Sequence, residues 1–378
     1  MSLPSPRYNR PWGETTLSYW FTRRANSDRE TPSLWRGLSN GLTKHNDIFR
    51  VACLDDIDAI LGFTANGVQG LTNVPRTRER VQEQLQETID TLAGKPGANR
   101  IIFVVERDSK VLGISGIIVK VGVESPFYNF KRNHHSGRSA NPVLAIDYDT
   151  LQMTTDFNGY TEVASLFMGP EGRGTGLARL LSMGRFGYIR NNRNQFSDGL
   201  MAEILGWTDE NGVSPFWKHL ASRFIDMPFD NADKLSTIDK RFIVDLLPGI
   251  PIMLNLLPDI VTECTGRPHD SSARAMRMLQ SVGFQVTDMC DVFDGGPAVK
   301  CPTDSTWIAR STRRVKSLDA PAGAEICMHF SGEGAHFRAA LGPAIPQEGR
   351  ADAHAASIVK TSAEAPVYIA QTREPAPI

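Results

Sequence analysis

From Glu162 to Leu181 an apolar run halts at Gly169-Pro170, turns through Gly172, Gly174 and Gly176, and restarts with a different period. Val163 to Met168 is too short for a helix and reads as a strand. Beyond the glycines, Leu177, Leu180, Leu181, Gly184 and Tyr188 fall at offsets 0, 3, 4, 7 and 11, one face of a helix. Strand, glycine loop and helix in that order restrict the chain to folds in which a loop after a strand opens a helix. Such a start presents unpaired backbone N–H groups and the positive end of a dipole, so an anion is stabilised there if no side chain blocks it. Gly174 and Gly176 remove Cβ atoms and permit positive φ, while Arg173 adds a charge-assisted donor. Walker A chemistry is excluded because its Lys is missing, and a dinucleotide fingerprint would need Gly where Arg179 stands. A glycine turn with no ligand remains a complete alternative for these six residues, Arg173 to Ala178.

At 378 residues with 41% hydrophobic content, the chain is long enough for two domains and a sizeable core. The most apolar candidate span, around Ile250 to Leu257, is interrupted by Pro251 and followed by Pro258, well short of the ~20 residues a membrane helix needs. A globular protein without a membrane partner is expected. Five scattered cysteines with no paired spacing imply a reduced, cytoplasmic setting. A net charge of −1 encodes no bulk attraction to nucleic acid, which leaves only local contact such as with tRNA.

Composition divides the chain into an extension at 1–47, a domain at 48–200, a second α/β half at 201–303 and a β-rich region at 304–378. The extension carries arginines and aromatics without periodicity. Glu14, Asp28 and Glu30 argue against an organellar presequence, so a docking arm or partly disordered lead is expected. Phe49 to Leu61 reads as a strand entering a helix, with Asp55 or Asp56 as N-cap. Arg76 to Leu92 reads as a helix. Ile101 to Glu106 and Val111 to Val123 read as strands paired across Asp108-Ser109-Lys110. Gly199 to Leu205 resembles a strand; Ser214 to Phe224 and Ser271 to Ser281 resemble helices, the latter ended by Gly283. Short β-like runs follow at 324–330, 336–341 and 367–370. His134-His135 falls in a polar stretch expected to be a solvated loop with no metal site. Cys264 and Cys290, lacking local His partners, are expected to be buried and structural.

Arg173-Gly174-Thr175-Gly176-Leu177-Ala178 is similar to the pyrophosphate loop of the GCN5-related N-acyltransferases. More of the chain resembles the bacterial arginine N-succinyltransferase family: Gly70 to Pro75, Val121 to Phe130, Glu162 to Ala178, Ala202 to Gly206, Ser214 to Trp217 and Phe293 to Pro297, within a likeness running from about Phe49 to Arg314. The resemblance implies an α+β fold with an acyltransferase-like mixed sheet flanked by helices, one or two copies of that unit, and a small β-rich C-terminal subdomain. It implies transfer of succinyl from succinyl-CoA, a cosubstrate and not a covalently held cofactor, to the α-amine of arginine. His269, fourteen residues before Gly283-Phe284, matches the family's proton donor. Leu166 matches its acyl-CoA contact, with Met168 beside it and Arg173, Gly174, Gly176 and Ala178 in the loop. Tyr128, Asn129, Glu203 and Leu205 lie in resemblance segments as substrate contacts.

The family usually has Arg where Leu205 stands, Tyr at Met253, His at Phe157 and Pro at Asp270. If the missing Arg gripped a carboxylate, Leu205 leaves an apolar wall there and the substrates differ; otherwise these positions are packing drift. Two other functions stay open. One is amide formation between arginine and another activated donor, such as aminoacyl-tRNA in arginine-containing cyclodipeptide synthesis. The other is a non-catalytic subunit of a hetero-oligomeric acyltransferase, and both homo- and hetero-oligomers fit the sequence.

Overall fold

Apolar runs such as 101–105 and 111–117, buried along their length, form the middle of a long sheet in this computed structural model, which describes residues 45–64, 76–236, 239–321 and 324–374. The extension before residue 45 and the Gly70 to Pro75 segment lie outside the described residues. The first strand, β1 (Asp47–Val51), leads to helices α1 (Ile57–Thr64) and α2 (Arg78–Leu92), then to β2 (Arg100–Arg107) and β3 (Lys110–Ile118). A hairpin, β4 (Asn129–Ala140) and β5 (Val143–Thr154), precedes β6 (Thr161–Met168), α3 (Leu177–Asn191) and β7 (Gly199–Glu203). Next come α4 (Pro215–His219), α5 (Phe229–Ser236), α6 (Arg241–Leu246), β8 (Ile252–Met253), α7 (Asp259–Cys264) and α8 (Ala273–Gln280). The chain continues through β9 (Gln285–Asp291), β10 (Pro297–Pro302), α9 (Trp307–Ser311) and β11 (Arg313–Arg314). It ends with β12 (Glu325–Ser331), β13 (Arg338–Ile345), β14 (Arg350–Ala351), α10 (Ala353–Val359) and β15 (Tyr368–Gln371).

The strand order is β11-β15-β12-β13-β1-β2-β3-β6-β7-β10-β9-β4-β5-β8, with β14 on β13. Because β13 pairs with β1 and β10 with β7, strands from 48–200, 201–303 and 304–378 belong to one sheet. Among the described strand ladders only β6 and β7 run parallel, and only Thr161↔Leu200 and Glu162↔Met201 are in register. Beyond that short ladder the two strands part, and a cleft begins there. On its other edge β6 carries a bulge. Between Ile114 and Gly116 of β3 the register slips by one residue, and Ser165 takes φ 54°.

The helix after the glycine loop forms as its period requires, but it is buried nearly all round. Besides Leu177, Leu180 and Leu181, its residues Met183, Phe186 and Ile189 are also covered. The sheet takes one side, and Met328, Phe330 and Phe337 from the C-terminal strands join the same core. Gly184 is needed there because a Cβ would lie 2.6 Å from the Phe49 ring.

Several expectations are corrected. His134 and His135 are not in a loop: they sit in β4, where His134 pairs with Asp149 across a hairpin whose far half is exposed on both faces. Solvation of both faces removes the apolar alternation that would have marked a strand. Asp56 is not an N-cap. Its Oδ2 accepts the Cys53 N–H at 2.8 Å, and the carboxylate also grips Arg50. The expected helix from Ser214 stops at His219, β3 ends at Ile118, and between the β-like runs of the tail stands a helix, α10, capped by Asp352. Cys264 and Cys290 are buried, and burial pushes both thiols up, Cys264 to about 11. Among the described residues no helix is long and apolar enough to cross a membrane.

Candidate active site

The parting of β6 and β7 opens a cleft of about 440 Å3. One wall is Ala164, Ser165 and Leu166 of β6, at and beside the bulge; the facing wall is Ala202 and Glu203 of β7 with Leu205 just beyond it. Ser182 and Arg185 of α3 and Ser272 at the start of α8 close it further, and Tyr128 lines it where the chain enters β4. Leu166, expected as a donor contact, and Tyr128, Glu203 and Leu205, expected as substrate contacts, line this one cleft.

The glycine loop stands at the start of α3 and does not line the cleft. Gly174 and Gly176 have φ 77° and 86°, the left-handed region that glycine enters without strain, and Gly176 is the N-cap. Thr175 fastens the turn: its Oγ1 donates to the Gly172 carbonyl at 2.7 Å and accepts the Leu177 N–H. Arg173 is exposed beside it, Ala178 is in the first turn of α3, and Met168 packs against Gly172. From Gly176 to Arg185 the helix rises roughly 14 Å, so α3 spans from the loop to the cleft.

Glu203 is the best-defined titratable group of the cleft. Burial, then the Asp291 and Glu162 carboxylates, hold its carboxyl well above the usual range, and Lys240 opposes them. Asn129 is fully buried, and its Nδ2 donates to Glu203 Oε1 at 2.7 Å, which fixes the carboxyl's orientation. Asn129 itself does not line the cleft. Lys240, across the cleft, lies 4.6 Å over the Phe127 ring. Asp294 accepts the Gly206 and Gly296 N–H groups, each at 2.7 Å, and ties the end of β7 to the β9–β10 turn.

His269 is held beside the cleft. Pro268 bridges to Gly206, and the His269 N–H donates to the Leu205 carbonyl at 2.8 Å. Its ring Nδ1 accepts the Ser271 N–H at 3.1 Å and lies 2.7 Å from Ser271 Oγ. That bond places the ring hydrogen on Nε2 in the neutral form; if both nitrogens are protonated, Ser271 Oγ becomes the acceptor of Nδ1–H. The departures from the family pattern separate in space. Leu205 lines the cleft, whereas Phe157 is 1% exposed inside a packed cluster and Met253 sits on β8 beside Thr150. Sequence reading missed Glu162, Arg185, Lys240, Asp291 and Asp294. The Asp291-x-x-Asp294-Gly-Gly spacing hinted at the last two, and nothing local marked the others.

A family model described as arginine N-succinyltransferase beta subunit matches residues 47–307. The arginine N-succinyltransferases of Salmonella typhimurium and Salmonella newport are each 33% identical over 305 residues, 78% of this chain and 88% of theirs. The solved arginine/ornithine succinyltransferase subunit AI from Pseudomonas aeruginosa superimposes with a TM-score of 0.74 at 24% identity, covering 87% of this chain and all of that one. The fold is therefore the α+β, acyltransferase-like mixed sheet with a smaller β-rich C-terminal part. With the family model and the relatives both spanning most of the chain, this protein is an N-acyltransferase that belongs to the arginine N-succinyltransferase family.

Proposed function

We propose that the chain transfers the succinyl group of succinyl-CoA to the α-amine of arginine. The carrying observation is the cleft between the parting β6 and β7, with a bulged strand on one wall and the half-buried Glu203 carboxyl on the other. The pyrophosphate of the donor is held at the α3 N-terminus by the Arg173 to Ala178 loop, where backbone donors and the dipole favour an anion. Leu166, with Met168 beyond it, borders the acyl-pantetheine arm along β6. Tyr128, Glu203 and Leu205 face the acceptor, and Asn129 orients Glu203. Glu162, Glu203 and Asp291 form an acidic wall suited to a cationic amino acid.

A carboxyl whose pKa burial and neighbouring acids raise well above the ordinary range is a stronger base toward an ammonium group than a free carboxylate. Glu203 takes one proton from the α-ammonium; the amine's lone pair forms the C–N bond at the thioester carbon, and the C–S bond breaks. The second proton leaves nitrogen for bulk solvent as the amide forms. The departing thiolate receives a proton from His269 in its doubly protonated form, with Nδ1–H turned onto Ser271 Oγ. The reading is tested by calorimetry with coenzyme A for wild type and Gly176→Trp, and by thiol release with arginine and succinyl-CoA for wild type and His269→Ala. Expected are loss of binding in the first variant and about a 10²–10⁴-fold loss of kcat with unchanged coenzyme A affinity in the second. No binding by wild type, or equal binding by Gly176→Trp, sinks the donor assignment. Near-normal turnover in His269→Ala makes that residue a cap of α8.

A further inference from the structure

Arg185 is a cation buried without an anion. It is 2% exposed in the middle of α3 and lines the cleft, yet all its hydrogen bonds go to neutral oxygens: Nε to the Ser182 carbonyl, Nη1 to the Ala164 carbonyl and Nη2 to Ser182 Oγ, each at 3.2 Å. Among the described residues no carboxylate pairs with it. A guanidinium has five N–H donors, so two of them are left by these bonds. Burying such a group unpaired is costly, and burial alone pulls its pKa down to about 9. The cleft's carboxyls, Glu162, Glu203, Asp291 and Asp294, lie instead toward its β7–β9 side and the parallel ladder.

We infer that Arg185 receives a substrate carboxylate, and its seat on α3 against Ala164 of β6 assigns it to the terminal carboxylate of a dicarboxylic acyl donor. This deepens the reading above, on which it rests. The same chemistry is carried by the acceptor's α-carboxylate, but the acceptor faces Glu203 on the opposite wall, and the donor runs along the two elements that hold Arg185. A carboxylate here completes the guanidinium's bonds with a charge-assisted fork, and an uncharged acyl chain of the same length leaves the cation unpaired. Arg185 is thus a specificity-determining residue, selecting acyl groups that end in an anion. It also supplies a cleft cation that the chain retains although Leu205 has replaced the family's arginine.

The test compares Arg185→Met with wild type, using succinyl-CoA or butyryl-CoA as donor and arginine or agmatine, which lacks the α-carboxylate, as acceptor. Expected is a fall of about 10–150-fold in kcat/KM for succinyl-CoA with either acceptor, and little change for butyryl-CoA. Equal losses for both donors make Arg185 a structural strut and overturn the inference. Losses seen with arginine but not agmatine move the contact to the acceptor and also overturn it. Calorimetry of succinyl-CoA against free coenzyme A gives a readout independent of turnover. If wild type transfers no acyl group to arginine, the functional reading fails, but a preference for succinyl-CoA that vanishes in Arg185→Met still upholds the carboxylate contact. Should the Met variant not fold, Arg185→Lys replaces it; retention of the full succinyl preference by a point charge without the fork would refute the forked contact.

Discussion

Asn129→Leu removes the short hydrogen bond to Glu203, together with a long one of 3.5 Å to the Cys290 carbonyl, and its effect on turnover should depend on pH. The Asn129 side chain is fully buried, its Nδ2 donates to Glu203 Oε1 at 2.7 Å, and its Oδ1 has no partner. A hydrogen bond to a charged acceptor contributes about 1.5–3 kcal/mol and one to a neutral acceptor about 1 kcal/mol. Losing the amide therefore costs the carboxylate form of Glu203 about 0.5–2 kcal/mol more than the acid form. Wherever Glu203 is mostly protonated, that difference lowers the ionised fraction about 2–30-fold. Burial and neighbouring carboxylates already hold Glu203 high. The deficit should accordingly be complete on the acidic limb of the profile and close as pH rises and both proteins ionise. The leucine also removes an unsatisfied buried acceptor, so the fold should survive the change. The assay is kcat/KM against pH by thiol release, for wild type and variant, with coenzyme A binding as a control for folding. A deficit of the same size at every pH would show that Asn129 only positions the site, and no deficit would remove Glu203 from the role of base.

Leu205→Arg places a cation on the cleft wall and should change kcat/KM between acceptors or donors by about 10–150-fold, whereas Phe157→Leu, packed behind the cleft-lining Val121 and Phe127 without lining the cleft itself, should cost about 0.5–3 kcal/mol of stability and leave substrate ranking untouched. A reranking by the Phe157 variant, or none by the Leu205 variant, would place specificity elsewhere. His329 is fully buried in β12, and burial lowers its pKa from 6.5 to about 4. The unfolded chain therefore binds the extra proton between those values, so stability is complete above the upper one and falls as pH drops, by about 3 kcal/mol in all. Urea midpoints at both ends of that window should differ less in His329→Gln than in wild type; equal differences would contradict this.

The sequence by itself determined the elements whose causes are local. The run into Gly169-Pro170, the two glycines that take positive φ and the apolar period after Leu177 specify a strand, a loop and α3 with no outside help. The same is true of α2 after Thr77 and of the β2–β3 hairpin, where Asp108 and Ser109 adopt the left-handed conformations of a tight turn. Tertiary structure alone decided the cleft, because its parts are distant in the chain. Asn129 meets Glu203 across 74 residues, and the Glu203 carboxyl departs from ordinary behaviour only because β4, β7 and β9 bury it among other acids. Arg185 occupies a helical position whose spacing is unremarkable; its isolation follows from its burial between α3 and β6 with the cleft in front of it. The polar β4–β5 hairpin, solvated on both faces, left no alternation to read. Local backbone preference and period are written residue by residue, whereas burial and charge pairing exist only after distant segments have met, and the chemistry of this site depends on those two quantities.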